Sequence, residues 1–164
     1  MIICRTMDPE PVNKEFLQAM RGITSTVTVV SAKNGENKQA MTATSVASLS
    51  LDPPSMLICV NQEASIHEVM KEGLGFCINI LSLGQENLAN ICSIKGKEEQ
   101  RFLVPNWLEL DNIPYNADSK CNLFCNCIQA IQHTTHTIYV GEVIRVVNNN
   151  TSDPLLYRDG KYLT

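Results

Sequence analysis

No stretch of the sequence approaches the roughly 20 consecutive apolar residues that span a bilayer. Nor does the opening, M-I-I-C-R-T-M-D-P-E-P, hold the apolar core of about 7 to 15 residues found in a secretory leader. A membrane span and a secretory signal are therefore not expected, and the cytoplasm is the expected location. Basic runs are missing too: 13 Lys and Arg stand against 17 Asp and Glu, for a formal charge of −4. Nucleic acid is not an expected partner, because its phosphates demand a basic patch or stripe. There is no internal repeat and no low-complexity tract. No G-x-G-x-x-G occurs, which together with the irregular spacing of helices argues against a doubly wound parallel sheet.

The seven cysteines contain no C-x-x-C pair, and their number is odd. Most fall in strand-like or helical runs, where a free thiol serves as a small hydrophobe, as at Cys59 and Cys77. A reducing compartment fits this usage. Cys121, Cys125 and Cys127 with His133 and His136 invite a zinc or iron–sulfur reading, but their spacing matches no common framework. No metal site is expected.

What is present suits one domain over residues 1–164, with 44 % hydrophobic residues to build a core without disulfides. Phe16, Leu17 and Met20 share one helical face, so a helix is predicted over 12–21, capped by Asn13 and stopped by Gly22. Residues 26–32 are β-branched and end at Lys33-Asn34-Gly35, a hairpin signal leading to a strand from Lys38. Asp52-Pro53-Pro54 interrupts pairing before a buried strand at 56–60. Ser65 and Glu68 form a capping box that predicts a helix over 65–72, ended by Gly73 and Gly75. A strand at 76–81, a helix at 85–93 and a loop at 94–106 follow. The two longest strand-like runs are 122–132 and 135–147, joined at His133-Thr134, with a terminal pair near Leu155-Leu156 and Tyr162. The pattern is mainly β with inserted helices, a small barrel or sandwich.

The most informative segment is A-M-T-A-T-S-V-A-S-L-S-L-D-P-P, residues 40–54. Its small hydroxyl and methyl side chains let a planar ligand approach the backbone closely and find hydroxyls and N–H groups to bond. This segment resembles the short-chain flavin reductases, the NAD(P)H-oxidising small components of two-component flavin-dependent monooxygenases. The resemblance starts at F-L-Q-A-M-R-G-I-T-S-T-V-T-V-V-S (16–31). It continues in order through V-N-Q-E-A-S-I-H (60–67), G-F-C-I-N-I-L (75–81) and H-T-I-Y-V-G-E-V (136–143), and closes on P-L-L-Y-R-D-G-K-Y (154–162). Each motif alone is weak, but the ordered set covers nearly the whole chain.

The resemblance implies a split β-barrel that binds FMN or FAD, a homodimer, hydride transfer from NADH or NADPH to flavin N5, and delivery of reduced flavin to a partner monooxygenase. By the same resemblance, Thr42, Ala43, Thr44 and Ser48 surround the flavin ring and ribityl chain. Ser65 and His67 face the flavin phosphate, where the start of a helix would also favour an anion, and Asn61 just before them also contacts the cofactor. Phe102, from the pair Arg101-Phe102 after Glu98-Glu99-Gln100, folds over the flavin. His136 orients the nicotinamide first and gives a proton second, since its charge changes near neutral pH. Tyr157 stacks near the same mouth. Several also have a bland alternative: a half-buried strand for the threonines, a helix cap for Ser65, a core aromatic for Phe102, a terminal-strand aromatic for Tyr157, a structural histidine for His136. A barrel that keeps its flavin as an electron carrier, a non-enzymatic flavin- or haem-binding barrel, and a pyridoxamine-phosphate oxidase-like barrel are the rival readings.

Overall fold

The computed structural model describes residues 9–149 and 152–163. It is mainly β with inserted helices, as expected. Helix α1 runs Pro9–Arg21, and strands β1 (Ser25–Thr26), β2 (Thr28–Asn34), β3 (Asn37–Ala43), β4 (Val46–Leu51) and β5 (Pro54–Asn61) follow. A 3-10 turn, Ser65–Glu68, leads to β6 (Gly75–Ile80), α2 (Glu86–Ser93) and α3 (Glu98–Arg101). Strands β7 (Trp107–Leu110) and β8 (Ile113–Asn116) form a small hairpin. The long β9 (Cys121–His133) and β10 (His136–Asn148) and the short β11 (Leu156–Arg158) and β12 (Lys161–Leu163) complete the chain. Among the described residues no helix is long and apolar enough to cross a membrane.

Seven strands make one antiparallel sheet in the order β3-β2-β6-β9-β10-β5-β4. Laid flat at about 4.8 Å per strand, its edges β3 and β4 would stand roughly 29 Å apart. Yet only Thr44 and Ser45 separate them in sequence, a reach of at most about 11 Å. The sheet must therefore curl until its edges nearly meet, which makes a barrel split between β3 and β4.

Alternation along the strands fills the barrel. Val30, Ile58, Val60, Phe76, Ile78, Cys125 and Tyr139 are buried together inside, and the turn at 65–68 plugs one end with Ile66. Outside the barrel, α2 packs Leu88, Ala89 and Cys92 on Val27, Val29, Ala40, Leu81 and Leu155. A buried amide network ties the wall together. Asn79 of β6 donates to Val29 O at 2.7 Å and Ser31 Oγ at 2.9 Å, and accepts from Asn116 N at 2.8 Å and Asn122 Nδ2 at 2.9 Å.

Several expected boundaries move. Helix α1 begins at Pro9 rather than after Asn13, because proline is tolerated in a first helical turn where its missing N–H has no partner to lose. Asn13 is thus helical, not a cap. The helix expected over 65–72 is only the 3-10 turn 65–68, with Ala64 at its N-cap and no side-chain cap. Val69 and Met70, which follow, are drawn into the barrel core instead. Residues 94–106 contain the short α3, and β7 and β8 form strands that the sequence reading had not placed.

Two consequences of this packing are testable. Gly141 sits at a register shift of β10, where an added Cβ would fall on the Phe76 ring and 2.9 Å from Cys125 Cβ. Gly141→Ala should cost about 1–3 kcal/mol of unfolding free energy in a urea titration, the usual penalty for overfilling a core. Burial also pushes the Cys92 and Cys125 thiols up from the ordinary 9.0 to about 12, with the Arg101 charge partly opposing it at Cys92. A raised folded-state value favours the neutral thiol. The stability it contributes is complete below about pH 9 and is lost as pH rises toward 12. The midpoint of thermal unfolding should fall across that window, and Cys92→Ser, Cys125→Ser should flatten the fall.

Candidate functional site

The break in the barrel opens a groove. A cavity of about 610 Å³ is lined by Thr24, Ser25, Thr26, Thr28, Thr44 and Ser48 as hydroxyls and by Val46, Met56, Ile78 and Ile80 as apolar wall. Thr44 also lines a neighbouring cavity of about 320 Å³ with Thr42, Asn90, Tyr157 and Tyr162. Thr42 and Ser93 then pass into a third, of about 370 Å³, with Ser65, Cys92, Lys95 and Arg101. Thr44 is shared by the first two and Thr42 and Ser93 by the last two, so the three make a row, a segmented channel, beside β3. An apolar floor with polar edges is the lining that a flat, partly polar ring requires.

The walls are stiffened by hydroxyls already in use. Thr42 Oγ1 donates to Ala89 O of α2 at 2.6 Å, and Thr28 Oγ1 donates to Ala43 O at 2.7 Å. Tyr157 meets Tyr162 edge to face, with ring centroids 5.5 Å apart, and Tyr162 Oη donates to Asn90 Oδ1 at 2.8 Å. The aromatic pair is thereby held at the groove's edge.

At the far end lies a residue the sequence reading had quoted but not placed in the site. Arg101 is 4 % exposed. Its Nη1 donates to Ala40 O at 2.8 Å and Ser65 Oγ at 2.9 Å, and its Nη2 donates to Ile94 O at 3.0 Å and Glu98 Oε1 at 3.2 Å. Its Nε has no partner. Backbone N–H groups of Glu98 and Gly96 hold the Glu98 carboxyl below its ordinary range, and Arg101 adds to the effect. A serine hydroxyl held by a buried guanidinium and lining an open cavity is chemistry suited to an anion. The signal was the Arg of Arg101-Phe102, whose inward turn no local pattern announces.

Of the residues expected from sequence, Thr42, Thr44, Ser48, Ser65 and Tyr157 line the channel. Ala43 does not: its side chain is buried in the barrel core, on the opposite face of the strand from Thr42. Phe102 packs on Trp107 at 4.8 Å between centroids, under the Lys38 ammonium, and joins the core cluster around α2. His67 turns to Thr137 Oγ1 at 2.9 Å and to the edge of Tyr139. Asn61 Oδ1 accepts from Glu63 N at 2.9 Å, and His136, its partner across β5 and β10, has Nδ1 2.9 Å from Thr135 Oγ1. None of these last four residues lines the three linked cavities. Because His67 binds Thr137 and neighbouring strand residues face opposite ways, His136 looks outward, onto the outer face of β5 and β10.

Cys125 and Cys127 are buried in the core while His133 and His136 stand exposed at the hairpin end, so the cluster considered for metal is divided. A separate cavity of about 660 Å³, between α1 and Arg158-Asp159, contains none of the expected residues.

Comparison with known proteins gives a consistent answer. The family model described as flavin reductase like domain matches residues 20–164. The reductase component of an FADH(2)-dependent resorcinol hydroxylase from Rhizobium sp. (strain MTP-10005) is 33 % identical over 157 residues, covering 94 % of this chain and 88 % of that protein. An FMN reductase (NADH) RutF from Pseudomonas syringae pv. syringae (strain B728a) is 29 % identical over 148 residues, covering 90 % of this chain and 83 % of that one. Among solved structures, the NADH:FAD oxidoreductase SgcE6 of Streptomyces globisporus C-1027 superimposes with a TM-score of 0.86. It is 26 % identical and covers 98 % of this chain and 96 % of its own. That protein has also been solved in complex with NAD and FAD fragments.

Proposed function

This chain belongs to the flavin reductase-like family, and from that premise we propose that it reduces FMN or FAD with NADH or NADPH and supplies the reduced flavin to a partner monooxygenase. The observation that carries the reading is the row of adjoining cavities from Ser48 through Thr44 and Thr42 to Ser65 and Arg101. Its hydroxyl rim and apolar wall suit a flavin ring, and the Ser65 hydroxyl held by Arg101 suits a phosphate. When bound, the flavin supplies the hydride-accepting chemistry, so the protein's task is alignment.

In this reading Thr44 and Ser48 bond the polar edge of the ring, and Val46, Met56, Ile78 and Ile80 give it an apolar bed that excludes water from one face. Thr42 fixes the distance between β3 and α2 through Ala89 O and so keeps the channel open. Tyr157 forms its lip. Ser65 bonds the phosphate through its hydroxyl, not through a helix dipole, because the turn it opens is only four residues long. NADH is the preferred donor in this proposal, since NADH stands in the names of two of the similar proteins.

His136 enters through assembly. The outer face of β4, β9 and β10 carries Leu49, Ile128, Ile131 and Ile144, each more than 40 % exposed. A second copy of this chain covers that apolar surface in our proposal and brings His136 to the nicotinamide side of a shared site. Ile131 and Ile138 are register partners near the hairpin end of β9 and β10, on the same face as His136. The double change Ile131→Glu, Ile138→Glu should halve the mass measured by light scattering without unfolding the chain; a wild type that is already monomeric removes the assembly proposal.

Reductase activity is tested by NADH oxidation with flavin as the varied substrate, after gel filtration of the protein. Turnover that saturates with added flavin is expected. A yellow protein that oxidises one equivalent of NADH and then stops would instead be a flavin-retaining carrier.

A further inference from the structure

We infer that Arg101 is a positioning residue that fixes the direction of the Ser65 hydroxyl, and that this is what lets the channel distinguish a phosphorylated flavin from an unphosphorylated one. The inference rests on the reading of Ser65 as the phosphate contact and says how that contact is prepared. A serine hydroxyl has one proton to give and two lone pairs to receive with, and it rotates to suit its neighbours. In this chain one lone pair is taken by Nη1 of Arg101 at 2.9 Å. The positive guanidinium then repels the hydroxyl proton, so the proton turns away from Arg101 and toward the cavity that both residues line. Without the arginine the hydroxyl is as free to accept as to donate. With it, Ser65 is a preset donor, which is the role a phosphate oxygen needs.

The same guanidinium cannot drift. Ala40 O, Ile94 O and Glu98 Oε1 hold its other N–H groups, so β3, the end of α2 and α3 all fix its plane. Only Nε is left without a partner. Charge bookkeeping around the cavity shows why this arginine matters more than the lysine nearby. Glu63, Glu68 and Glu98 line the cavity with Lys95 and Arg101. Lys95 and Glu63 are 3.9 Å apart but 85 % and 84 % exposed, so solvent screens both. Arg101 has only 5 % of its side chain exposed and is paired with Glu98 at 3.2 Å, so it acts on Ser65 through the directional hydrogen bond from Nη1 and not as a free charge.

The test compares dissociation constants for FMN and for riboflavin, which has the same ring and no phosphate, by quenching of flavin fluorescence. Ser65→Ala should lower the preference for FMN about tenfold, the effect of one charge-assisted hydrogen bond. Arg101→Gln should lower it by a similar factor with riboflavin affinity nearly unchanged. The double variant should lose little more than either single one, because the two act through one hydroxyl. Arg101→Lys, which keeps the charge but not the planar fork, should recover part of the preference. If Arg101→Gln does not fold, the lysine variant decides: a preference about threefold or more below wild type supports the inference, and an unchanged one overturns it.

A folded Arg101→Gln that keeps full preference, while Ser65→Ala loses it, overturns the role of Arg101 and leaves Ser65 as the phosphate contact. A Ser65→Ala that still prefers FMN as strongly as wild type, or a wild type with no preference, overturns the Ser65 reading and this inference together.

Discussion

Replacing Thr44 with tryptophan is expected to weaken flavin binding by about 100-fold, on the order of 3 kcal/mol, while leaving thermal stability nearly unchanged. Thr44 lies in the two-residue link where β3 gives way to β4, and it lines both of the cavities that meet there. An indole at this point would occupy the space that the proposed flavin ring needs. The residue is exposed, and no strand hydrogen bond depends on its side chain. Surface changes of that kind usually stay within about 0.5 kcal/mol of wild-type stability. Isothermal titration with FMN, beside a thermal melt, separates the two effects. Intact affinity in the variant would mean that flavin does not lie between β3 and β4.

The largest effect on the fold is expected at Asn79. It is fully buried, and its amide serves Val29 O, Ser31 Oγ, Asn116 N and Asn122 Nδ2 at once. Asn79→Leu removes the amide from all four buried groups, although Ser31 Oγ still donates to Pro114 O and Asn122 Nδ2 to Asn116 O. Unsatisfied buried groups cost about 1–3 kcal/mol each, with partial relief from rearrangement, so a loss of roughly 4 kcal/mol is expected in a denaturant titration. Ile78 and Ile80, on either side of Asn79, line the groove. The folded fraction of the variant should therefore also bind flavin less tightly. A loss below about 1 kcal/mol would show that water or neighbouring amides replace the network.

Much of this architecture was legible before any coordinates. Period-two alternation placed β9 and β10 within a residue or so of their ends, because one face of each had to be apolar. The same period could have placed Ala43 correctly: if Thr42 faces the groove, the next residue faces the core. The β7–β8 hairpin was missed although Leu108 and Leu110 alternate before Asp111-Asn112, both with positive φ, the backbone of a tight hairpin turn. The capping box at Ser65 misled because local capping competes with burial, and Val69 and Met70 gain more by entering the barrel than by extending a helix. Apolar Phe16 and Leu17 marked α1 correctly as a helix, but both remain about 60 % exposed, so periodicity identified the element and not its packing.

The site was legible in part for a related reason. Residues that line the channel by strand alternation, Thr42, Thr44 and Ser48, follow from sequence once the split in the barrel is known. Arg101 does not, because its position depends on two carbonyls and a hydroxyl from three separate segments converging on one guanidinium. The resemblance points to Phe102 as the ligand-facing member of the pair, whereas Phe102 packs on Trp107 and the arginine beside it lines the cavity.

The most direct test is the anaerobic reduction of FMN and FAD by NADH and by NADPH, followed by flavin bleaching at catalytic protein concentration, with wild type and Thr44→Trp side by side. Wild type should bleach added flavin at a rate that saturates with flavin concentration, and Thr44→Trp should bleach it far more slowly at the same flavin level. No bleaching by wild type with any pairing, or equal rates in the two proteins, would contradict a flavin reductase site in the split of this barrel.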